Sequence, residues 1–190
     1  MKRKRPSDRW GRIKWASVDT TKIPGRGDAV LLGLSSQKYC DWYNLGDAMD
    51  YARSLVTAIR RVTDRPIIYR PKPSWGMKQV RADLGIEGVE LSVGRPLAGD
   101  LARTWVLVTH GSGVALNAIL MGIPAIVLCK EAIASPMCGD KLEDIERPLW
   151  RDTERRAQWA HNLAYTQWAR HEIETGDAWE CIQEDIQVAT

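Results

Sequence analysis

Apolar positions fall in short runs separated by polar segments with a helical period. Ala29-Val30-Leu31-Leu32 is an apolar run closed by Gly33, with Ser35 and Ser36 behind it, and reads as a buried strand followed by a turn. Over residues 46–62, Ala48, Ala52, Leu55, Val56 and Ile59 recur at three- and four-residue steps, which predicts an amphipathic helix. Its acids come early and its arginines late, as the helix dipole favours. Further strands are predicted at 66–69, 89–92, 105–109 and 124–128, and short helices at 97–103 and 114–121. Gly122 is well placed to stop the second of these. Strands alternating with helices over short connections predict βαβ units. The expected fold is therefore α/β, a Rossmann-like parallel sheet with helices on both faces.

The two ends differ from this middle. Residues 1–27 are punctuated by Pro6, Pro24, Gly25 and Gly27 and show no apolar period, so they read as a basic irregular arm. From 151 onward, Ala157, Ala160, Leu163, Ala164 and Trp168 follow a helical period, which predicts one or two C-terminal helices. The expected organisation is an arm at 1–27, a Rossmann-like domain at 28–150 and a helical extension at 151–190. Trp159, Trp168 and Trp179 in that extension are expected to pack rather than to stack on a ligand.

Charge sharpens the contrast. The chain has 190 residues and a net charge of +3, yet residues 1–15 hold seven Lys/Arg against Asp8 alone. With Trp10 and Trp15, this arm is a candidate contact for nucleic acid, lysine and arginine pairing with phosphates and indoles stacking on bases. The competing reading is a solvated terminus. No apolar run is long enough to span a membrane, and none follows the charged start, so neither a membrane partner nor an export signal is expected. The four cysteines include no C-x-x-C pair and only three histidines are present, which predicts reduced thiols in a cytoplasm and no metal site. No cofactor is expected. With nine Trp and no Phe, indoles supply most of the aromatic volume.

The chemistry concentrates at Thr109-His110-Gly111-Ser112-Gly113, between a strand and a helix. Small residues let a ligand approach the backbone, and amides at a helix start favour an anion such as phosphate. Ser112 offers a hydroxyl, and His110 is the candidate for phosphate contact or proton transfer. The competing reading makes Ser112 a plain N-cap of a tight turn. The turn is neither a dinucleotide fingerprint, since Leu116 stands where a glycine is needed, nor a Walker loop, nor a nucleophile elbow. Gly33 and Ser35 after the first strand, and Arg70 and Lys72 after the second, are further candidates, the two cations as counter-charges for a diphosphate. Trp75 is a stacking candidate. Asp100 is expected to cap a short helix, and His161 and His171 to lie at the surface.

The phrase from Thr109 to Gly122-Ile-Pro-Ala125 resembles the donor-binding half of GT-B glycosyltransferases, in the manner of capsule-polysaccharide and Kdo-type transferases. Arg70-Pro-Lys-Pro73 resembles the basic turn that those proteins carry after an earlier strand. The segments 144–148, 163–168 and 172–179 are similar to glycosyltransferase-like proteins of bacteriophages. The resemblance covers roughly residues 28–180. It implies a single GT-B half that binds a nucleotide sugar through Gly33, Ser35, Arg70, Lys72, Thr109, Gly111, Ser112, Gly113 and Asn117, with His110 as the catalytic candidate. The implied reaction is sugar transfer to a hydroxyl of a glycan or a modified nucleobase. Two departures stand out. Asn117 occupies the place where many members hold the donor ribose with Glu. The chain also has room for one half only, so a second polypeptide or a second copy is expected to complete the cleft. The alternatives are a non-catalytic module that binds a nucleotide or a partner, and a nucleic-acid-binding protein acting through its arm.

Overall fold

The computed structural model describes residues 4–13, 27–72, 84–92 and 94–189. Trp75 and Trp15, singled out above, lie outside the described residues, as do Lys2, Arg3 and Lys14 among the seven basic residues of the arm.

Five parallel strands form one sheet: β1 (Ala29–Gly33), β2 (Ile67–Arg70), β3 (Val89–Leu91), β4 (Thr104–Thr109) and β5 (Ala125–Val127), in the order β3-β2-β1-β4-β5. This is the doubly wound arrangement expected from the alternating pattern. All five residues of β1 are buried, as they must be in a central strand covered on both faces. The register pairs Leu31 with Ile68 on one side and with Leu107 on the other. Beyond β5, Gly139 adds one parallel bridge to Ile126.

The connections place helices on opposite faces. After β1 come α1 (Gln37–Trp42) and α2 (Ala48–Arg60). The Asp47 carboxylate starts α2 by accepting from the Met49 and Asp50 amides at 2.8 and 3.1 Å. Ala52, Leu55, Val56 and Ile59 of α2 join Val30, Leu32, Ile67, Tyr69, Val106 and Val108 in one core. Short α3 (Leu97–Leu101) leads into β4, and α4 (Val114–Leu120) joins β4 to β5. Leu31, Gly33 and Leu107 face the other way. A Cβ on Gly33 would stand 2.8 Å from Val114 Cγ1 and 3.5 Å from Leu107 Cδ1, so α4 begins directly over the opposite face. At the far end of α4, Gly122 takes φ +80° with the Arg156 guanidinium 3.1 Å from where its Cβ would be. Arg156 is buried and donates from Nη1 to the Leu120 carbonyl at 3.2 Å, satisfying one of the orphan acceptors of that helix end.

Two expectations are corrected here. Residues 37–42 form a helix that the sequence pattern did not predict, because it buries only Cys40 and so has no apolar stripe to detect. Asp100 does not cap α3: Pro96 does, and Asp100 lies inside the helix, fully buried.

The chain divides into two compact units, Asp19–Arg156 and Met1–Val18 with Ala157–Thr190. The second contains three helices rather than one or two: α5 (Thr153–Ala164), which begins within the first unit, α6 (Arg170–Glu174) and α7 (Asp177–Ala189). In it Arg9 is buried, with its guanidinium 3.8 Å above the Trp168 ring and bonded to both oxygens of buried Glu172 at 2.8 and 3.0 Å. Arg5 lies over Tyr165 at 4.6 Å and pairs with Asp185 at 2.5 Å. Trp159 is buried, whereas Trp179 is exposed. His161 is half-buried and His171 exposed.

Candidate functional site

In an open parallel sheet, ligands bind beyond the carboxyl ends of the strands, where the strand order reverses. Here that point lies between β1 and β4, and the two turns rich in small residues, 33–36 and 110–113, leave from these adjacent strands. The sheet therefore brings Gly33, Ser35, His110, Gly111, Ser112 and Gly113 to one crevice edge.

The second turn is fixed from below. The Thr109 hydroxyl, fully buried, accepts the Ser112 amide at 3.0 Å, so Thr109 shapes the turn from behind. The N-cap of α4 is Gly113, with no side-chain capping bond; Ser112 Oγ stands 3.5 Å from the Val114 amide. Ser112 is thus not a firm cap, and its hydroxyl retains capacity for a ligand. Gly113 is exposed, Ser112 half-buried, and Asn117 half-buried on the third residue after the helix start. With seven residues, α4 contributes only a short dipole.

An aromatic wall closes one side of this turn. Tyr39 on α1 and Tyr43 at its C-cap, four residues apart, stand 4.6 Å from each other between ring centroids. His110 meets Tyr39, Tyr43 and Tyr51 of α2 edge-on, at 5.6, 5.3 and 5.8 Å. The Tyr39 hydroxyl is 3.1 Å from His110 Nδ1. Gly111 leaves room for this contact, since a Cβ there would collide with the Tyr39 hydroxyl. Past β5 the chain stays paired with β4, the Cys129 amide donating to the His110 carbonyl at 2.7 Å. The Cys129 thiol donates to Glu131 Oε2 at 3.2 Å.

Electrostatics follow from burial and these bonds. Burial lowers the His110 pKa, opposed only by the Glu131 charge, so the imidazole is neutral at pH 7. Burial first, then hydrogen bonding with Cys129, raises Tyr39; burial, with smaller contributions from Cys40 and Cys129, pushes Tyr51 up to about 12. The contact with Cys129 leads the upward shift of Tyr43. The bond from Cys129 keeps Glu131 below the usual carboxylate range.

Arg70 ends β2 one strand away from β1, but its charge is already engaged. Nη1 donates to Asp100 Oδ2 at 2.6 Å, to the Arg95 carbonyl at 2.9 Å and to Ser92 Oγ at 3.1 Å. Arg95 reaches both Asp100 and Glu90, and Arg103 grips Glu90 with two bonds of 2.7 Å, drawing that carboxylate down to about 2. Lys72 is exposed. Sequence reasoning brought forward both turns and both cations. It missed the tyrosine wall, whose signals were the Tyr39/Tyr43 spacing behind Ser36 and the Cys129-x-Glu131 step after β5. Among the described residues no group of three or more His, Cys, Asp or Glu is placed to hold a metal, and no helix is long and apolar enough to cross a membrane.

The fold and the crevice define an open α/β domain of Rossmann-like layout with its candidate site at the strand-order switch. No family model matches the chain, and no curated protein matches it. Solved structures similar to it include "Spinosyn Rhamnosyltransferase SpnG", with 16% identity and a TM-score of 0.43, covering 86% of this chain and 41% of that one. Another is UDP-GlcNAc 2-epimerase from Methanocaldococcus jannaschii, with 13% identity and a TM-score of 0.45, covering 83% of this chain and 48% of that one. The chain spans less than half the length of each, and at these values neither likeness says anything of substrate or chemistry.

Proposed function

We propose that this chain is the nucleotide-sugar-binding half of a GT-B-type glycosyltransferase, which transfers a sugar to a hydroxyl of a glycan or a modified nucleobase. The observation that carries the reading is the pairing of two glycine-tight turns at the β1/β4 switch point. The donor diphosphate rests on Gly111, Ser112 and Gly113, with Gly33 and Ser35 along the facing turn and Asn117 toward the ribose. Lys72, exposed and without an ion pair among the described residues, supplies the counter-charge. Arg70 acts through the buried Asp100 pair, and Thr109 supports the turn. His110, neutral and hydrogen-bonded to Tyr39, serves best as a donor to an oxygen. The sequence resemblance to capsule-polysaccharide, Kdo-type and bacteriophage proteins supports a surface glycan or DNA base as acceptor. A second polypeptide or a second copy supplies the other wall, and the working place is the cytoplasm.

A second reading, binding without turnover, is favoured by one observation: Arg70, the expected counter-charge for a leaving diphosphate, is already matched by Asp100. The reading of nucleic-acid contact through residues 1–15 loses Arg5 and Arg9, which spend their charge within the protein.

The test is thermal shift and calorimetry with UDP, GDP, CMP and their sugars, followed by chromatography of the donor. The expected result is stabilisation by one nucleotide diphosphate or nucleotide sugar, lost in Ser112→Asp through like-charge repulsion while the far-UV spectrum stays unchanged. Stabilisation without donor consumption selects the second reading. No response to any nucleotide refutes both.

A further inference from the structure

We infer that Tyr39 is a positioning residue: its phenol donates to His110 Nδ1 and so holds the imidazole as the tautomer that offers Nε2–H to a ligand oxygen beside the 110–113 turn. The ligand half of this inference rests on the function proposed above; the tautomer half does not.

The bond is 3.1 Å long and joins α1 to the end of β4. Either partner can in principle donate, and the surroundings decide between them. A phenol is the better acid and a neutral imidazole nitrogen the better base, so the proton belongs on oxygen with Nδ1 as acceptor. The groups around the ring agree. Tyr43 and Tyr51 present ring edges or faces from the C-cap of α1 and from α2, and neither supplies a charge. Cys129 directs its S–H to Glu131, so its sulfur is the other acceptor within reach of the Tyr39 phenol, and as a weak one it loses that proton to the more basic Nδ1. Among the described residues Glu131 is the acid whose charge reaches His110, and burial outweighs it. The imidazole is half-buried, and no described residue bonds Nε2, which is not among the sealed polar atoms. Gly111 completes the device, since any side chain there would displace the Tyr39 hydroxyl.

The consequence is a division of labour within one ring. Nδ1 is committed to the protein, and Nε2–H is pre-aimed, so no tautomer has to be selected when a ligand arrives. A phosphate or carbonyl oxygen fits such a donor. A substrate proton to be removed does not, because Nε2 is already protonated.

The experiment uses the full chain labelled with 15N-histidine and long-range proton–nitrogen correlation across pH, with His110→Asn assigning the signal. The wild type is expected to show Nε2 protonated and Nδ1 bare, as a hydrogen-bond acceptor. Tyr39→Phe removes a bond that only the neutral ring can accept, so the proton affinity of His110 rises about three- to tenfold and the tautomers mix. Tyr43→Phe keeps the ring packing and leaves both readouts unmoved. A proton on Nδ1, or a titration that Tyr39→Phe leaves unchanged or lowers, overturns the role of Tyr39. UDP, GDP and CMP serve as the ligand probes. Movement of the Nε2 signal on adding any of them supports the donor role. The predicted tautomer with no response to all three removes the ligand half together with the proposed function, whereas a nucleotide response with the wrong tautomer overturns Tyr39 alone.

Discussion

At position 111 an added methyl would collide with the Tyr39 hydroxyl and lie 3.3 Å from Cys129 Cβ. Glycine is required there by space, not by a positive φ. Gly111→Ala is therefore expected to cost about 1–3 kcal/mol by overpacking and to separate Tyr39 from His110; urea melts read the first effect and the His110 nitrogen shifts the second. Asp100 gives the other residue-scale prediction. It is fully buried and meets Arg70, Arg95 and Ser92, the last at 2.5 Å. Asp100→Ala leaves two guanidinium groups facing a void. Because Arg70 and Arg95 keep partial access to water, the loss is expected at or below about 3 kcal/mol, the lower edge for breaking a buried pair. A melt as cooperative and as late as that of the wild type would show that the pair is solvated. Neither feature was legible in the sequence. The small residues of the turn were visible there, but what they make room for comes from α1, seventy residues earlier.

Elements were legible where they bury a patterned face. The strands are short apolar runs, and α2 carries its stripe at Ala52, Leu55, Val56 and Ile59. By contrast α1 buries only Cys40 and has no side-chain cap at its start, so no period announces it. The end of α4 was announced by Gly122 for the right reason, a positive φ, but the sequence could not show that Arg156 fills the space beside it. Gly122→Ala combines both penalties. The left-handed backbone costs about 1–2 kcal/mol for a non-glycine residue, and the guanidinium has to shift as well. The expected outcome is a lower denaturation midpoint, with ligand binding at the opposite end of β4 unchanged. A loss of binding without a loss of stability would tie this corner to the site.

At the scale of the molecule, the alternation of strands and helices sufficed for the parallel sheet and for the side on which its turns gather, because connection length and handedness leave few other layouts. The terminal segments escaped such reasoning. Composition made residues 1–15 look like a free basic arm, and nothing local pairs Arg9 with Glu172 or Arg5 with Asp185. That pairing makes the unit formed by the two ends sensitive to acid. The Arg9 guanidinium and the Ala169 amide hold Glu172 down at about 2, against an ordinary value of 4.5. A carboxylate depressed in the folded state contributes stability that is fully present above its unfolded value and lost as pH falls through the folded one. Between pH 4.5 and about 2 the hold on residues 4–13 should therefore weaken progressively, with little change from pH 6 to 8. Amide exchange at Trp10–Arg12 and the fluorescence of Trp168, which Arg9 covers, would follow it. Arg9→Met keeps the stem over the indole and removes the charge, so it should abolish the acid step in that fluorescence while leaving the ring covered. If the step persists in Arg9→Met, another carboxylate governs the acid response, and the Arg9–Glu172 pair is not what holds the arm.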